Sequence, residues 1–566
     1  MKDLVVNSHT LANHTLSFFL YDSAVGRRAL SPERVALTGF FLVTAIVLPK
    51  AYDPINVPKL LILNLTLAIV ALIAFKERKP LFKRIDHLDI LVGVFICLML
   101  VNLGVNNFAF SERLYGIVGR SAGFFYYISF ALAFFLLRQL RMSLYSYIYA
   151  LAATNLVISG ILLLQSAGIL SFSFQEFYSA PSSTLGNPNF VSGFLGFSAP
   201  SLFLAFGWVR QSRYRFFIIS LSFVINFWAI YETNSIQGFI SLLVSLSVFG
   251  FGLINLYFSR KVVFSIVIAA IFCGPFLVSI SNLATELLGS NSMLSRLDYW
   301  RAGISITEKF PVWGVGFDAY GDYYRQFRDD VAFDRFGEGV IADSPHNLFL
   351  DCFVSGGIPL GISFLALNLL PLIYFFRAIT PKRKLNISEI LLVSIWFGYQ
   401  TQAFITVNQV GVSIWNWALL GLMAQRASKD LVIKRPIQPT TSPLANVQNL
   451  IPFFIGVTLT FLMALPLKNH LDLVSAAKYS NGSNLLKIAQ RFPKDSKIMA
   501  SVSMGATSSG LESVSLQILR KAVEHNPRSF YLWKLLHENS MASQAEQLEA
   551  KSMMQELDPL YKFPGG

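Results

Sequence analysis

The stretch LDILVGVFICLMLVNLG, from Leu88 to Gly104, carries one charged side chain, Asp89, near its start and is otherwise uncharged and mostly apolar. A bilayer core about 30 Å thick is crossed by about 20 mostly apolar residues of α-helix, with a lower limit near 17. The stretch therefore reads as a membrane span, and it has company. Runs of the same kind lie near 35–49, 58–75, 88–104, 120–137, 144–165, 189–209, 214–231, 236–256, 262–280, 357–376, 388–406, 411–425 and 449–467. Composition agrees: 54% of the 566 residues are hydrophobic and 14% are charged, against about 25% charged in soluble domains. The expected fold is all-α, a polytopic membrane helical bundle of about thirteen transmembrane helices.

The formal charge of +14 does not point to nucleic acid, because the Lys and Arg share neither a face nor a domain. They sit in short loops. Lys76, Arg78, Lys79, Lys83 and Arg84 follow the second run, Arg138 and Arg141 the fourth, and Arg210, Arg213 and Arg215 the sixth. Arg260 and Lys261 follow the eighth, Arg377 to Lys384 the tenth, and Arg426 to Arg435 the twelfth. Every basic loop follows an even-numbered run, and positive loops stay in the cytoplasm. This predicts a cytoplasmic N-terminal segment (1–34), a transmembrane domain (35–467) with a large exterior loop (281–350), and an exterior tail (468–566). The N-terminus lacks a signal-peptide pattern, since the first long apolar run begins near Val35. Cys97, Cys273 and Cys352 have no CxxC spacing, so neither a disulfide framework nor a zinc site is indicated.

In the tail, Pro493, Pro527 and Pro559 are 34 and 32 residues apart. SLQILRKAVEHNP places an amphipathic helix before the second of them. Paired helices at that period are the tetratricopeptide pattern, which predicts a helical scaffold for a protein partner or for packing on the membrane domain.

The exterior loop closes on DSPHNLFLDCFVSGGIPLG, Asp343 to Gly361. Of the seven histidines, only His346 falls at the mouth of the membrane domain by this topology. Ser344 as N-cap and Pro345 at the first helical position predict a short helix with His346 as its second residue, ending at Gly356-Gly357. A helix N-terminus favours phosphate, and a histidine there can act as a base near neutral pH. A capping or headgroup-contacting histidine is the alternative. Upstream, Arg296 and Arg301 are candidates to hold phosphate oxygens. So is Arg120, at the outer end of the fourth run. Asp343, Asp351 and Asn347 are placed to orient the ring or touch an acceptor. Asp329, Asp330 and Asp334 read as a solvated loop in preference to a metal site. Trp300, Trp313, Tyr320 and Tyr323 are candidates to stack on sugars.

Ser295-Arg296 to Trp300, then Phe-Pro-x-x-Gly-x-Gly (Phe310 to Gly316), Pro345-His346-Asn347 to Leu350 and Gly-Gly-Ile-Pro (Gly356 to Pro359), in that order, resemble the O-antigen ligase and polymerase superfamily. Val57 to Lys59, Gly119 to Gly123 and Gly186 to Gly196 fit as well, so the resemblance spans roughly 35–430. It implies a membrane glycosyltransferase at the outer face of the bacterial cytoplasmic membrane. The implied donor is a glycan on undecaprenyl diphosphate. The acceptor is a hydroxyl of lipid A–core in lipopolysaccharide, of a growing polysaccharide, or of a protein. No nucleotide sugar, metal or other cofactor is implied. His346 matches the family's essential histidine and Arg296 a diphosphate-binding arginine. One departure stands out: members carry Thr-x-Ser-Arg-Gly where this chain reads TNSIQG, with Gln237 near the position of that arginine.

A flippase of lipid-linked glycans is the rival of another class. Transporters place ionisable residues along the substrate path inside their spans, and the middles of these runs are almost free of them.

Overall fold

Apolar runs that must live in hydrocarbon satisfy their backbone internally, and helices do this within one segment. The computed structural model describes residues 31–79, 81–82, 87–106, 109–140, 142–172, 180–205, 212–257, 291–337, 339, 342–378, 385–431, 447–477 and 482–563, and among these it contains helices and no strands. In chain order the helices are α1 Pro32–Ala45, α2 Asn56–Lys76, α3 His87–Val105, α4 Phe110–Tyr115, α5 Phe124–Leu140 and α6 Leu144–Ser166. They continue with α7 Pro188–Ser198, α8 Leu202–Ala205, α9 Ser212–Glu232, α10 Ile236–Tyr257, α11 Asn291–Lys309, α12 Tyr320–Phe327, α13 Asp330–Phe336 and α14 Leu348–Ala378. Last come α15 Ile387–Ala403, α16 Val410–Leu431, α17 Ile451–Ala477, α18 Gly482–Gln490, α19 Ser496–Ser508, α20 Glu512–His525, α21 Phe530–Glu538 and α22 Gln544–Leu557.

Among the described residues, seven helices are long and apolar enough to cross a membrane, with shorter apolar helices at Phe124–Leu140 and Val410–Gln425. The chain is thus a polytopic helical membrane protein. The expected run at 262–280 and most of the N-terminal segment lie outside the described residues. The run at 189–209 is one span in the sequence but several pieces in the structure. A 3₁₀ turn at Ala199–Ser201 separates α7 from α8, and Pro200 in it has no N–H to give a continuous helix. Large apolar side chains such as Phe216, Phe217, Leu243 and Phe461 point outward, as lipid-facing residues do.

The first span is short, and the reason is visible. Helix α1 ends at Ala45 with carbonyls that a buried helix end must satisfy. The fully buried Lys59 donates its Nζ to the carbonyls of Val43, Thr44 and Ile46 at 2.9, 2.7 and 2.8 Å. The lysine of the Val57–Lys59 motif is therefore a helix cap delivered from the next helix. Elsewhere small residues let backbones touch: a Cβ on Gly196 would lie 2.4 Å from the Gly238 carbonyl, so α7 and α10 meet without side chains between them.

The tail has its own apolar core, including Ile518, Leu519, Leu532 and Met554. It packs on one end of the bundle, against α4, the 116–123 connection and the 310–347 loop. Asp495 accepts from the Val118 N–H at 2.8 Å, Ser496 donates its N–H to Glu112 at 2.7 Å, and Asp558 is paired with Arg325 and Arg328 at 2.8 and 2.7 Å.

Candidate functional site

Two glycine motifs meet to build the floor of the site. Gly357 has φ +72 and breaks the regular path of α14. The break frees the carbonyls of Val354 and Ser355, which accept from the N–H groups of Val315 and Gly316 at 2.9 Å each; the Ile358 N–H in turn donates to Pro311 at 2.7 Å. Gly314, φ +63, lies so close that a Cβ there would be 2.4 Å from the Val354 carbonyl. Pro-x-x-Gly-x-Gly and Gly-Gly-Ile-Pro are thus the two halves of one joint, which seats the outer loop on the kinked helix.

His346 stands just before that helix, not inside it. Its φ of +50 is left-handed, and α14 begins at Leu348. The expected Ser344–Pro345 helix start is corrected by three local bonds. Ser344 Oγ accepts from the His346 N–H at 3.2 Å, forming a turn, and Asn347 Oδ1 accepts from the N–H groups of Phe349 and Leu350 at 3.1 Å. Asn347 is the cap, so its side chain serves the helix N-terminus.

The imidazole lies against the Tyr299 ring of α11, with centroids 5.6 Å apart. Burial, then the charges of Arg296 and Arg120, push its pKa from 6.5 down to about 4. The ring is therefore neutral over the whole physiological range. The two arginines differ in what answers them. Arg120 is buried and paired with carboxylates: Nε lies 3.0 Å from Asp318, Nη2 2.8 Å from Asp351, and Nη1 donates to the Asp343 carbonyl. Arg296 is half-buried, and its bonds among the described residues are to neutral oxygens: the Ile405 carbonyl at 3.0 Å, the Ser292 carbonyl at 2.8 Å and Ser292 Oγ. Among the described residues no carboxylate pairs with Arg296, and a cation so placed beside a neutral base favours an anion.

Of the remaining candidates, Asp343 belongs to this cluster and acts electrostatically on His346. Its carboxylate is paired with Lys497 of the tail. Against the opposing effect of burial, Lys497 and then Arg120 hold it below the ordinary carboxylate range. Arg301 is turned away, half-exposed and paired with Asp298 and with Asp329 at 2.9 Å. Asp329 also caps α13 through the Ala332 N–H. Tyr320 and Tyr323 are buried and so are packing residues, closed to a sugar.

Two positions of the candidate site escaped the sequence. Asp318 clamps the 116–123 connection: Oδ2 accepts from the Ile117 and Ala122 N–H groups at 2.8 and 3.3 Å while Oδ1 holds Arg120. Its place directly after Gly-x-Gly-Phe was the available signal. Lys497 had none, being more than 150 residues from Asp343. Gln237, noted for the arginine it replaces, donates to the same Ile405 carbonyl as Arg296, at 3.3 Å. Its Oε1 is buried without a hydrogen-bond partner among the described residues. The amide is thus beside Arg296, one positive charge short of the pattern it resembles.

Residues 221–365 match a family model described as O-antigen ligase. This segment runs from α9 through the outer loop and His346 into α14. No curated protein matches the chain.

Proposed function

Because the chain carries an O-antigen ligase domain and is a multi-pass membrane protein of that superfamily, we propose that it transfers a glycan from undecaprenyl diphosphate to a hydroxyl acceptor. The reaction takes place at the outer face of the cytoplasmic membrane. One observation carries this reading: neutral His346 stands beside Arg296, whose charge no carboxylate among the described residues answers.

The donor diphosphate binds Arg296, with the α14 N-terminus adding its dipole. The acceptor oxygen attacks carbon one of the donor sugar. A glycosidic C–O bond forms and the C–O bond to the diphosphate breaks. The electron pair leaves with the lipid diphosphate, and the acceptor proton passes to the His346 imidazole. A single displacement inverts the anomeric centre. An imidazole of pKa about 4 is a weak base in the empty site. The donor's negative charge offsets Arg296 and Arg120, so its arrival raises the basicity of His346 when a base is needed. Arg120, tied to two carboxylates, is a positioning residue: it joins the 116–123 connection to α14 and to the Asp343 backbone. The tail, read as tetratricopeptide-like, braces the outer loop. Ligase, polymerase and protein O-glycosyltransferase share this chemistry and differ in the acceptor.

His346→Ala is expected to abolish transfer from undecaprenyl-diphosphate glycans in reconstituted vesicles. Arg296→Lys, which keeps the charge but loses the planar fork, is expected to weaken donor binding. Wild-type transfer by His346→Ala would end the proposal. For the side of the membrane, Ser509→Cys in the tail should react with a membrane-impermeant maleimide in intact spheroplasts; labelling only after lysis would put the chemistry on the wrong side.

A further inference from the structure

Where the tail meets the outer loop, a cleft of about 130 Å³ is lined by Asp322, Arg325 and Asp343 on the loop side and by Lys497, Asn526 and Tyr531 on the tail side. We infer that this cleft binds sugar residues of the acceptor glycan, so that the tail supplies one wall of the acceptor site. The inference rests on the transfer reaction proposed above and adds where its second substrate lies.

The electrostatics exclude an anion. Asp343 is paired with Lys497, Asp322 with Arg113 at 2.9 Å, and Arg325 with Asp558 at 2.8 Å. Each cation lining the cleft is already answered by a carboxylate, so a diphosphate gains nothing here that Arg296 does not offer better. What remains are donors and acceptors held rigid by their own pairs, the fixed lone pairs and N–H groups that hydroxyls exchange with. The Tyr531 ring lies at the surface, 39% exposed, with its hydroxyl tethered at 3.1 Å to Met504 Sδ. A flat, fixed aromatic face beside paired polar groups suits a neutral polyhydroxylated ligand, whose C–H faces stack while its hydroxyls bond. Asp343 joins the cleft to the reaction centre, since its charge also acts on His346. Arg296 and Ile405 are not among the lining residues, so donor and acceptor would reach His346 from separate surfaces.

The test uses the full chain in lipid nanodiscs and saturation-transfer NMR. Three probes are compared: a neutral hexose oligosaccharide free of phosphate and of acidic sugars, sodium pyrophosphate, and a Ser/Thr-rich peptide. The oligosaccharide is expected to bind the wild type and His346→Ala alike. Binding is expected to weaken about tenfold in Tyr531→Ala, the loss of one aromatic platform, and to be kept in Tyr531→Phe. The inference is overturned if the oligosaccharide does not bind, if Tyr531→Ala binds it as the wild type does, or if pyrophosphate or the peptide displaces it. Wild-type transfer by His346→Ala would remove the proposed mechanism and leave this binding result intact, so the two failures are separable.

Discussion

His346 occupies backbone space that a side chain does not favour. Its φ of +50 is accompanied nearby by Asp318 at +56 and Ser121 at +52, each costing about 1–2 kcal/mol relative to an ordinary conformation. Strain of this kind persists where the surroundings over-determine it. Here they do: the Ser344 hydroxyl fixes the His346 N–H, Asp318 clamps two N–H groups, and Arg120 ties the Asp343 carbonyl to Asp351. Asparagine tolerates left-handed backbone. His346→Asn should therefore melt within about 1 kcal/mol of the wild type, while transfer falls by roughly 10²–10⁴-fold, the usual worth of a general base. A comparable fall in thermal stability would make His346 a structural residue. The pH profile gives a second check. In the proposed mechanism the neutral imidazole is the active form, and its pKa is lowered to about 4. The acid limb of kcat/KM, which reports the free enzyme, should thus lie well below 6.5, with activity present above it and lost as pH falls through it. Removing one depressing cation by Arg296→Gln should move that limb upward. A limb that stays put would mean that Arg296 and His346 do not share a site.

At the scale of elements, the kink in α14 is the joint on which the outer loop turns. Gly357 combines φ +72 with a Cβ position 2.5 Å from the Val312 backbone. Gly357→Ala therefore meets both a left-handed penalty and a backbone clash. A loss of about 2–3 kcal/mol is expected, read as faster proteolysis of the 310–347 loop with the membrane helices intact. Equal proteolysis would mean that the joint yields at no cost. The motifs making this joint were legible because glycines at close approaches are few and leave a pattern. The spans were legible too, since burial in lipid is decided locally by some twenty consecutive side chains. The start of α14 was not. Ser344, followed by Pro345, is a good cap in isolation, but Asn347 three residues later is as good. The choice between them rests on His346 going left-handed, which tertiary contacts enforce. The roles of the arginines were half legible. Their charge and their loop were evident, but Arg120 and Arg301 are answered by Asp318, Asp351, Asp298 and Asp329 through folding. Only in the folded structure is Arg296 singled out, since among the described residues no carboxylate answers it.

For the molecule as a whole, the question is whether the tail is an appendage or part of the proposed transferase. The contacts favour the second. Asp558, near the end of the chain and fully buried, accepts from both Arg325 and Arg328 of the outer loop; Arg325 also stacks on Phe530 with its carbon 4.4 Å from the ring centre. Buried pairs add little net stability when complete but are costly to break from one side, about 3–5 kcal/mol, because a charge is left without its partner. Asp558→Asn removes the charge and keeps the shape. Two arginines would then lie side by side under the tail, and the loop segment between α12 and His346 should loosen. The expected outcome is faster tryptic cleavage after Arg325 or Arg328 and a severalfold drop in transfer, with membrane insertion and the melting of the helical bundle unchanged. A tail that served only to recruit a separate protein would respond differently: purified enzyme with Asp558→Asn would keep full activity and full protease resistance in the absence of any partner. That result would detach the tail from the site and with it the second wall of the acceptor cleft.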